Sequence, residues 1–456
     1  MSIPVSQMSA VAGHVLKHVV GGTVRYPLVL MLEPLLRCNL ACAGCGKIQY
    51  PGHVLAREMT VEDALAAAEQ CSTPVVSVAG GEPLMHSRIA AIIEGLVHRE
   101  RYVYLCTNGL PLRQKLEEGL FSPSPYLTFN VHMDGDEKAH DFAVNREGVY
   151  GKAEDAIRFA VGLGFRVTTN TTLFDRVDAV RLRSFFDRMM GLGVEAMTIS
   201  PGYNYSKAPD QDHFLVRSRT CGLFRELLRR PNRAWRFNHS PLFLEFLMGK
   251  RHLECTPWGN PCYTIFGWQR PCYLLQEGYA STFQELLADT DWRSYGRASG
   301  NPKCQQCMVH CGHEPSAVHQ TFTSFGGFAN TVRGTLQGLD SSRGRNISPP
   351  RVTRFVKTGA ESTREGTVDR ALMEALDYRG DVTIELTDGT TTLGYVYDVS
   401  KRKVRLFGRS EETPVAVDRD SIFRVVHSGR DHASGTSWEA WVRADDERKR
   451  QAEQVA

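Results

Sequence analysis

Between residues 28 and 240 the sequence repeats one pattern six times: a short apolar run, a loop, and a stretch with helical spacing. The apolar runs are 28–33, 75–79, 102–106, 126–132, 165–172 and 194–200. The helical stretches are 60–71, 86–99, 110–119, 150–163, 177–191 and 209–229. Thr60-Val-Glu-Asp63 opens the first as a capping box, and Gly162 and Gly164 punctuate the end of the fourth. Apolar strands alternating with helices predict an α/β fold, a parallel sheet covered by helices. In barrels of this kind the chemistry sits at the C-terminal ends of the strands.

The loop after the first run reads Cys38-Asn-Leu-Ala-Cys42-Ala-Gly-Cys45. Three thiolates on one short loop hold three corners of a four-iron cluster and leave one iron open. An open iron can chelate a small molecule through an amine and a carboxylate, the arrangement that binds S-adenosylmethionine and passes an electron to its sulfonium. The competing reading is a zinc knuckle, but such sites pair two C-x2-C arms to give four ligands.

Other strand ends carry further polar groups. Gly80-Gly81-Glu82-Pro83 follows the second run. Its glycines would let a ligand approach the backbone, and Glu82 suits an ammonium group. Thr107 and Asn108 after the third run can hydrogen-bond a ligand lying across the strand ends. Cys106 beside them reads either as a thiol facing the barrel mouth or as a small buried hydrophobe. His132 and Asn170, ending runs four and five, suit a ribose and a methionine carboxylate, or cap their loops. Ser200-Pro-Gly-Tyr203 could line the substrate side.

The organisation expected is an N-terminal amphipathic helix in 1–27, the core over 28–240, a Cys-rich cap over 241–330, and a Gly/Ser/Arg-rich linker over 331–370. A small β-barrel or sheet domain follows over 371–443, then a charged tail over 444–456. The first helix either packs on the domain or touches a membrane. In the cap, Cys255, Cys272, Cys304, Cys307 and Cys311 could ligate a second cluster or zinc, or remain reduced thiols. A net charge of +3 is too small to argue for nucleic acid. No apolar run approaches the ~20 residues of a membrane span, and no signal peptide is visible. A cytoplasmic protein is expected, whose 12 cysteines are thiols and metal ligands rather than disulfides.

These features resemble the radical S-adenosylmethionine superfamily. Within it, Glu33–Lys47, Tyr104–Asn108, Ser200–Tyr203, Ala208–Phe214, Cys255–Asn260, Phe266–Tyr273 and Cys307–Cys311 resemble the adenosylhopane synthase (adenosyl-hopene transferase) family of hopanoid biosynthesis. The resemblance covers residues 1 to about 320. It implies a partial (β/α)6 TIM-like barrel of the radical S-adenosylmethionine type, to which the cap and the small β domain are appended. It implies a [4Fe-4S] cluster on Cys38, Cys42 and Cys45, with S-adenosylmethionine held by Gly80, Gly81, Glu82, Pro83, Thr107, Asn108, His132 and Asn170. The transferase reaction implied adds a 5′-deoxyadenosyl radical to the terminal alkene of diploptene. Cys106 becomes the hydrogen-atom donor that quenches the product radical. An electron donor such as flavodoxin or ferredoxin and a brief docking on the inner face of the membrane follow from the same resemblance. The alternatives are a peptide-modifying maturase of the same superfamily and a non-catalytic iron–sulfur or metal-binding redox protein.

Overall fold

The structure is a computed structural model that describes residues 3–175, 177–203, 207–208, 211–339, 367–409 and 414–434, with 447, 450 and 451. The chain opens with α1 (Val5–Val20) and enters the sheet at β1 (Val29–Glu33). After α2 (Gly52–Leu55), five β/α repeats follow. Their elements are α3 (Val61–Cys71), β2 (Val75–Val78), α4 (Ile89–His98), β3 (Tyr102–Thr107), α5 (Leu112–Glu117) and β4 (Leu127–His132). Then come α6 (Glu137–Ala143), α7 (Val149–Gly162), β5 (Arg166–Leu173), α8 (Ala179–Gly191), β6 (Ala196–Pro201) and α9 (Arg217–Leu227). The strands pair in parallel in the order β6-β5-β4-β3-β2-β1. This is an α/β fold with an open, partial barrel sheet.

Burial on both faces explains the apolar strands: Leu30, Leu32, Val76, Val78, Val103, Leu105, Phe129 and Val131 are all buried in one core with the helices. Local signals start the helices. The Thr60 hydroxyl accepts from the Asp63 N–H at 3.0 Å, Asp136 caps α6 and Asp178 caps α8. After α7 the chain turns at Gly164, whose φ of +83° is left-handed.

The sheet continues where a separate cap was expected. After α10 (Pro241–Leu247), β7 (Cys262–Thr264) pairs in parallel with β1. Strands β8 (Gly267–Gln269) and β9 (Tyr279–Ala280) then extend it as antiparallel hairpins. These strands have two or three residues each, too short for a periodicity signal. Beyond α11 (Phe283–Asp289), α12 (His310–Thr323) and α13 (Phe325–Gln337) complete this part.

A second difference is at α9, which starts at Arg217 rather than 209. Residues 209 and 210 lie outside the described set, and the chain from 211 is held by loops instead of its own helix. Asp175 N–H donates to the His213 carbonyl and Leu215 N–H to that of Gly202, at 2.9 and 3.0 Å.

Of the expected linker, 340–366 is outside the described residues, and so is most of the tail. Where the linker was expected to end, α14 (Thr367–Asp377) has begun, its Leu372 and Ala375 buried against the small sheet. That sheet is β10 (Val382–Leu386), β11 (Thr391–Val399), β12 (Lys403–Gly408), β13 (Val415–Asp418) and β14 (Ile422–His427). Its antiparallel order, β13-β12-β11-β10-β14, is an open sheet, with the turn at Gly389 (φ +83°).

The small sheet sits on the main body through an aromatic cluster. Tyr395, Tyr397 and Phe407 pack with Leu36, Tyr50 and Val54, from just before and after the cysteine loop, and with Phe266 and Tyr279. The Arg379 guanidinium lies 3.9 Å from the Tyr50 ring centroid and Arg57 lies 3.9 Å from that of Phe407. Arg379 also donates to Gln276 at 2.7 Å, Tyr279 N–H donates to Asp398 at 2.9 Å, and Lys207 pairs with Asp377.

Candidate active site

A cavity of about 300 Å³ opens at the C-terminal ends of β1 to β6. Cys38, Cys42 and Cys45 line one end and Cys106 lies in the same wall system, with Asn130, His132, Asn170, Ser200 and His310. The structure therefore brings Gly80, Gly81, Glu82, Thr107, Asn108, His132 and Asn170 into one lining with the cysteine loop. Pro83 is the exception. It is buried at the first position of a one-turn 3-10 helix and does not line the cavity, because its ring starts that turn.

The paired glycines answer to the chain's own backbone. A Cβ on Gly81 would sit 2.0 Å from the Arg37 carbonyl oxygen, and one on Gly80 (φ +111°) 2.3 Å from that of Leu35. Two hydrogen bonds close this contact, Gly81 N–H to Leu35 at 3.0 Å and Glu82 N–H to Arg37 at 2.9 Å. What approaches closely is residues 35–37, immediately before the cysteine loop, where the sequence had pointed to a ligand.

Glu82 is 1% exposed and accepts three hydrogen bonds: Leu84 N–H (3.1 Å), the Thr107 hydroxyl (2.8 Å) and Asn108 N–H (2.8 Å). Burial pushes its carboxyl up to about 7 against these donors. It thus ties β3's end to the second loop while facing the cavity. The Asn108 amide bridges to Asn39 at 2.6 Å, inside the cysteine loop.

Cys106 is held by three partners: the Ser77 hydroxyl and the Asn130 amide, each 3.5 Å from its Sγ, and the Tyr104 carbonyl, to which the thiol donates at 3.9 Å. Burial raises its pKa and keeps it a thiol. Asn130 is fixed in turn by the Thr168 hydroxyl at 3.0 Å. His132 pairs with Asp134 at 2.8 Å. Burial opposes its charge, but Asp134 and then Glu82 outweigh that and raise its pKa. Asn170 lines the same cavity, and its backbone carbonyl accepts from the Met133 N–H at 2.9 Å.

The far wall holds several residues, Phe174, Phe214 and His310 among them, that sequence reasoning gave no cavity role. Phe174 and Phe214 line it, with Tyr273, Leu274 and His310. His310 is bound to the Ser200 hydroxyl at 2.8 Å, and burial lowers its pKa to about 3, so it is neutral. The aromatic-rich sequence 255–273, a candidate wall for a large apolar substrate, contributes only Tyr273: Trp258 packs on Trp292, Trp268 lies in the core and Phe266 faces the small sheet. Phe174 and Phe214 come from loops after β5 and β6, and no periodicity marks a loop aromatic as lining.

The cysteine-loop thiols are free, and their ordinary range is shifted upward by burial, Cys38 to about 12. Leu40 N–H (3.4 Å) and the Asn108 amide (3.9 Å) point at the Cys38 sulfur, contacts that stabilise a ligated thiolate. Among the described residues no three His, Cys, Asp or Glu side chains converge on a single ion. A cubane does not require that convergence, since each thiolate takes its own iron. Three sulfurs at one end of the cavity, with N–H donors aimed at that of Cys38, fit such a cluster.

Residues 32–189 match the family model described as the Radical SAM superfamily. They form a radical SAM domain. Enzymes of this superfamily carry out radical reactions with a [4Fe-4S] cluster and S-adenosylmethionine. Residues 197–331 match a second model, described as a domain of unknown function, DUF3463. Among solved structures the chain is similar to Streptococcus suis SuiB bound to S-adenosylmethionine, at 14% identity over 56% of this chain, with a TM-score of 0.46. The match spans 62% of that SuiB chain, less than two thirds of its length. A second SuiB structure from Streptococcus suis matches at 15% identity, covering 66% of this chain and 76% of that one, TM-score 0.49. The FeFe-hydrogenase maturase HydG from Carboxydothermus hydrogenoformans matches at 12% identity, covering 48% and 54%, TM-score 0.35. No curated protein matches the sequence.

Beside the radical SAM domain lies the second set of cysteines. Cys255 is half-buried, with Cys307, Cys272, Cys304 and Cys311 near enough that a charge on any of them opposes one on Cys255. Cys272, Cys307 and Cys311 share an apolar cluster with Tyr203 and Phe214 of the cavity wall.

Proposed function

We propose that the chain adds the 5′-deoxyadenosyl group of S-adenosylmethionine to the terminal alkene of diploptene, giving adenosylhopane. The observation that carries this reading is the Cys106 thiol, kept protonated by burial and aimed by Ser77 and Asn130 into the cavity that the cysteine loop lines. A positioned S–H serves a step that leaves a carbon radical on the substrate to be quenched. Adding a radical to an alkene is such a step.

A four-iron cluster on Cys38, Cys42 and Cys45 would supply the electron that splits S-adenosylmethionine into methionine and the 5′-deoxyadenosyl radical. Glu82 would attract the methionine ammonium, while Asn108 orients the cysteine loop and Asn170 offers an amide. The 5′ carbon bonds to the alkene's terminal CH2, one π electron pairing with the radical. The other electron stays on the tertiary carbon. Cys106 gives that carbon its hydrogen atom and becomes a thiyl radical. A second electron, from a low-potential donor such as flavodoxin or ferredoxin, and one proton restore the thiol.

The cavity volume lies at the low end of the range for small-molecule sites, about 300–1,000 Å³. It suits the nucleoside, the amino acid and the alkene tip, so the polycyclic body would lie in the mouth. That contrasts with the single large apolar pocket that the substrate's size alone implies. The lipid substrate also calls for membrane docking of an otherwise cytoplasmic protein, to which α1 would contribute. Among the described residues no helix is long and apolar enough to cross a membrane. The five further cysteines would hold a second iron site; an iron count near four per chain would remove it.

Anaerobic turnover with diploptene, S-adenosylmethionine and a reductant tests the reading, with the mass of an adenosylated C30 lipid as the expected result. Methionine and 5′-deoxyadenosine formed without that product would overturn it. The Cys106→Ala variant should still consume diploptene and lose stereocontrol or yield at the quench. Unchanged product stereochemistry and rate would remove Cys106 from the role.

A further inference from the structure

Five cysteines outside the cysteine loop gather behind the far wall of the cavity. Two glycines bring Cys255 to the others. Gly296 N–H donates to the Cys304 sulfur, and a Cβ on Gly296 would come 3.2 Å from that of Cys255. Gly312 N–H donates to the Cys311 sulfur, and a Cβ there would come 2.8 Å from the Cys255 sulfur. Cys272 and Cys307 also receive backbone N–H groups, from Leu274 and Leu275 and from Val309. All five are free of disulfides. Among the described residues no three of them converge on one ion, which sets zinc aside. The cysteine loop has the same two properties. N–H groups of Leu40 and Lys47 reach Cys38 and Cys45, and its thiols do not converge on one ion either.

The charge beside these thiols separates a cluster from loose side chains. Arg217 and Arg297 are half-buried and near enough to oppose each other's charge, and Arg217 also feels Cys307. Neither guanidinium has a carboxylate partner among the described residues, and Nε and Nη1 of Arg297 are buried with no hydrogen-bond partner. Two adjacent cations without an acid are costly, and neutral thiols do nothing to offset them. A cubane held by thiolates does, because its net charge is negative and grows by one on reduction. Five thiols suffice to occupy every iron, so none is left for a substrate. Electron transfer is the chemistry that remains. Tyr273 lines the cavity and is near enough to both Cys45 and Cys311 to feel a charge on either, so one ring separates the two sets of cysteines.

We infer that Cys255, Cys272, Cys304, Cys307 and Cys311 supply the ligands of a second, fully ligated [4Fe-4S] cluster, an electron-carrying centre whose negative charge Arg217 and Arg297 offset. Its reduction adds one electron to the core and breaks no bond. The inference rests on the second iron site proposed above and is tested without alkene or turnover, so its failure is distinct from a failure of the adenosylation.

The test is anaerobic reconstitution of the full-length protein with iron and sulfide, read by metal analysis and electron paramagnetic resonance. The wild type should hold about eight irons per chain, and the variant Cys38→Ala with Cys42→Ala and Cys45→Ala about four. In that triple variant, dithionite should give the signal of a reduced four-iron cluster. Added S-adenosylmethionine should leave the signal unchanged, because no iron is open. Arg297→Gln should make the cluster harder to reduce: at the wild-type midpoint its reduced-to-oxidised ratio should be about tenfold smaller. Arg297→Lys, which keeps the charge, should stay close to the wild type. Four results would overturn the inference. They are a triple variant without iron, zinc in place of iron, a signal that S-adenosylmethionine shifts, and an unchanged ratio in Arg297→Gln.

Discussion

The Glu82 carboxyl takes three hydrogen bonds in a place that water barely reaches. Its pKa is pushed from 4.5 to about 7 by burial. Between those values the folded chain holds a proton there that the unfolded chain has released. Stability from this group is therefore present below about pH 4.5 and is lost as pH rises through 7. At about 1.4 kcal/mol per unit the upper bound is about 3 kcal/mol. Urea midpoints of the protein and of Glu82→Gln, compared between pH 5 and 8, should differ in slope by that sign; parallel curves would refute it. Gly81→Ala makes a second prediction. Its methyl cannot fit against the Arg37 carbonyl, so the loop must shift, at a cost of about 3 kcal/mol. The melting temperature should fall and iron incorporation with it. At this scale the sequence showed which residues gather and left out one contact that two of them make. Glycine pairs announce a close approach without naming its partner, and only the fold reveals that the partner is residues 35–37.

Strands and helices of the core were legible because their spacing follows burial on a sheet. The first turn of α9 and the strands β7 to β9 were not, since contacts with distant loops set them and two or three residues carry no period. The cysteine loop itself is anchored by an ion pair between elements. Lys47, just past Cys45, meets Glu33 at the end of β1 at 2.6 Å, with both side chains almost wholly buried. Breaking such a pair leaves a buried charge behind. Lys47→Met should cost about 3–5 kcal/mol in a denaturant melt, and Glu33→Leu added to it should recover most of that. If the double variant is as unstable as the single, the pair is not what holds the loop. Neither residue was singled out in the sequence, where a lysine and a glutamate fourteen positions apart look like two surface charges.

At the scale of the molecule, the small sheet was visible in the alternating apolar and polar residues of 382–386, 393–397 and 422–426 and in Asp388-Gly389 between the first two, while its seat on the core was not. Aromatics such as Tyr395 and Phe407 look like any strand residue until their neighbours are known. Phe407 is buried between the sheet and Arg57. Phe407→Ala should loosen that seat by about 3–5 kcal/mol. Calorimetry should then resolve two transitions where the parent protein shows one; a single transition at lower temperature would mean the two bodies remain one cooperative unit.

The small sheet reaches Tyr50 after β1, Lys207 after β6 and Gln276 between β8 and β9, yet among the described residues none beyond His310 lines the cavity. The first and last strands of the open barrel are laced together from outside. A laboratory evolution campaign seeking new substrates would thus find tolerance encoded in this external lacing, far from the cavity, as well as in the lining. Libraries confined to first-contact positions would leave the width of the entrance unexplored.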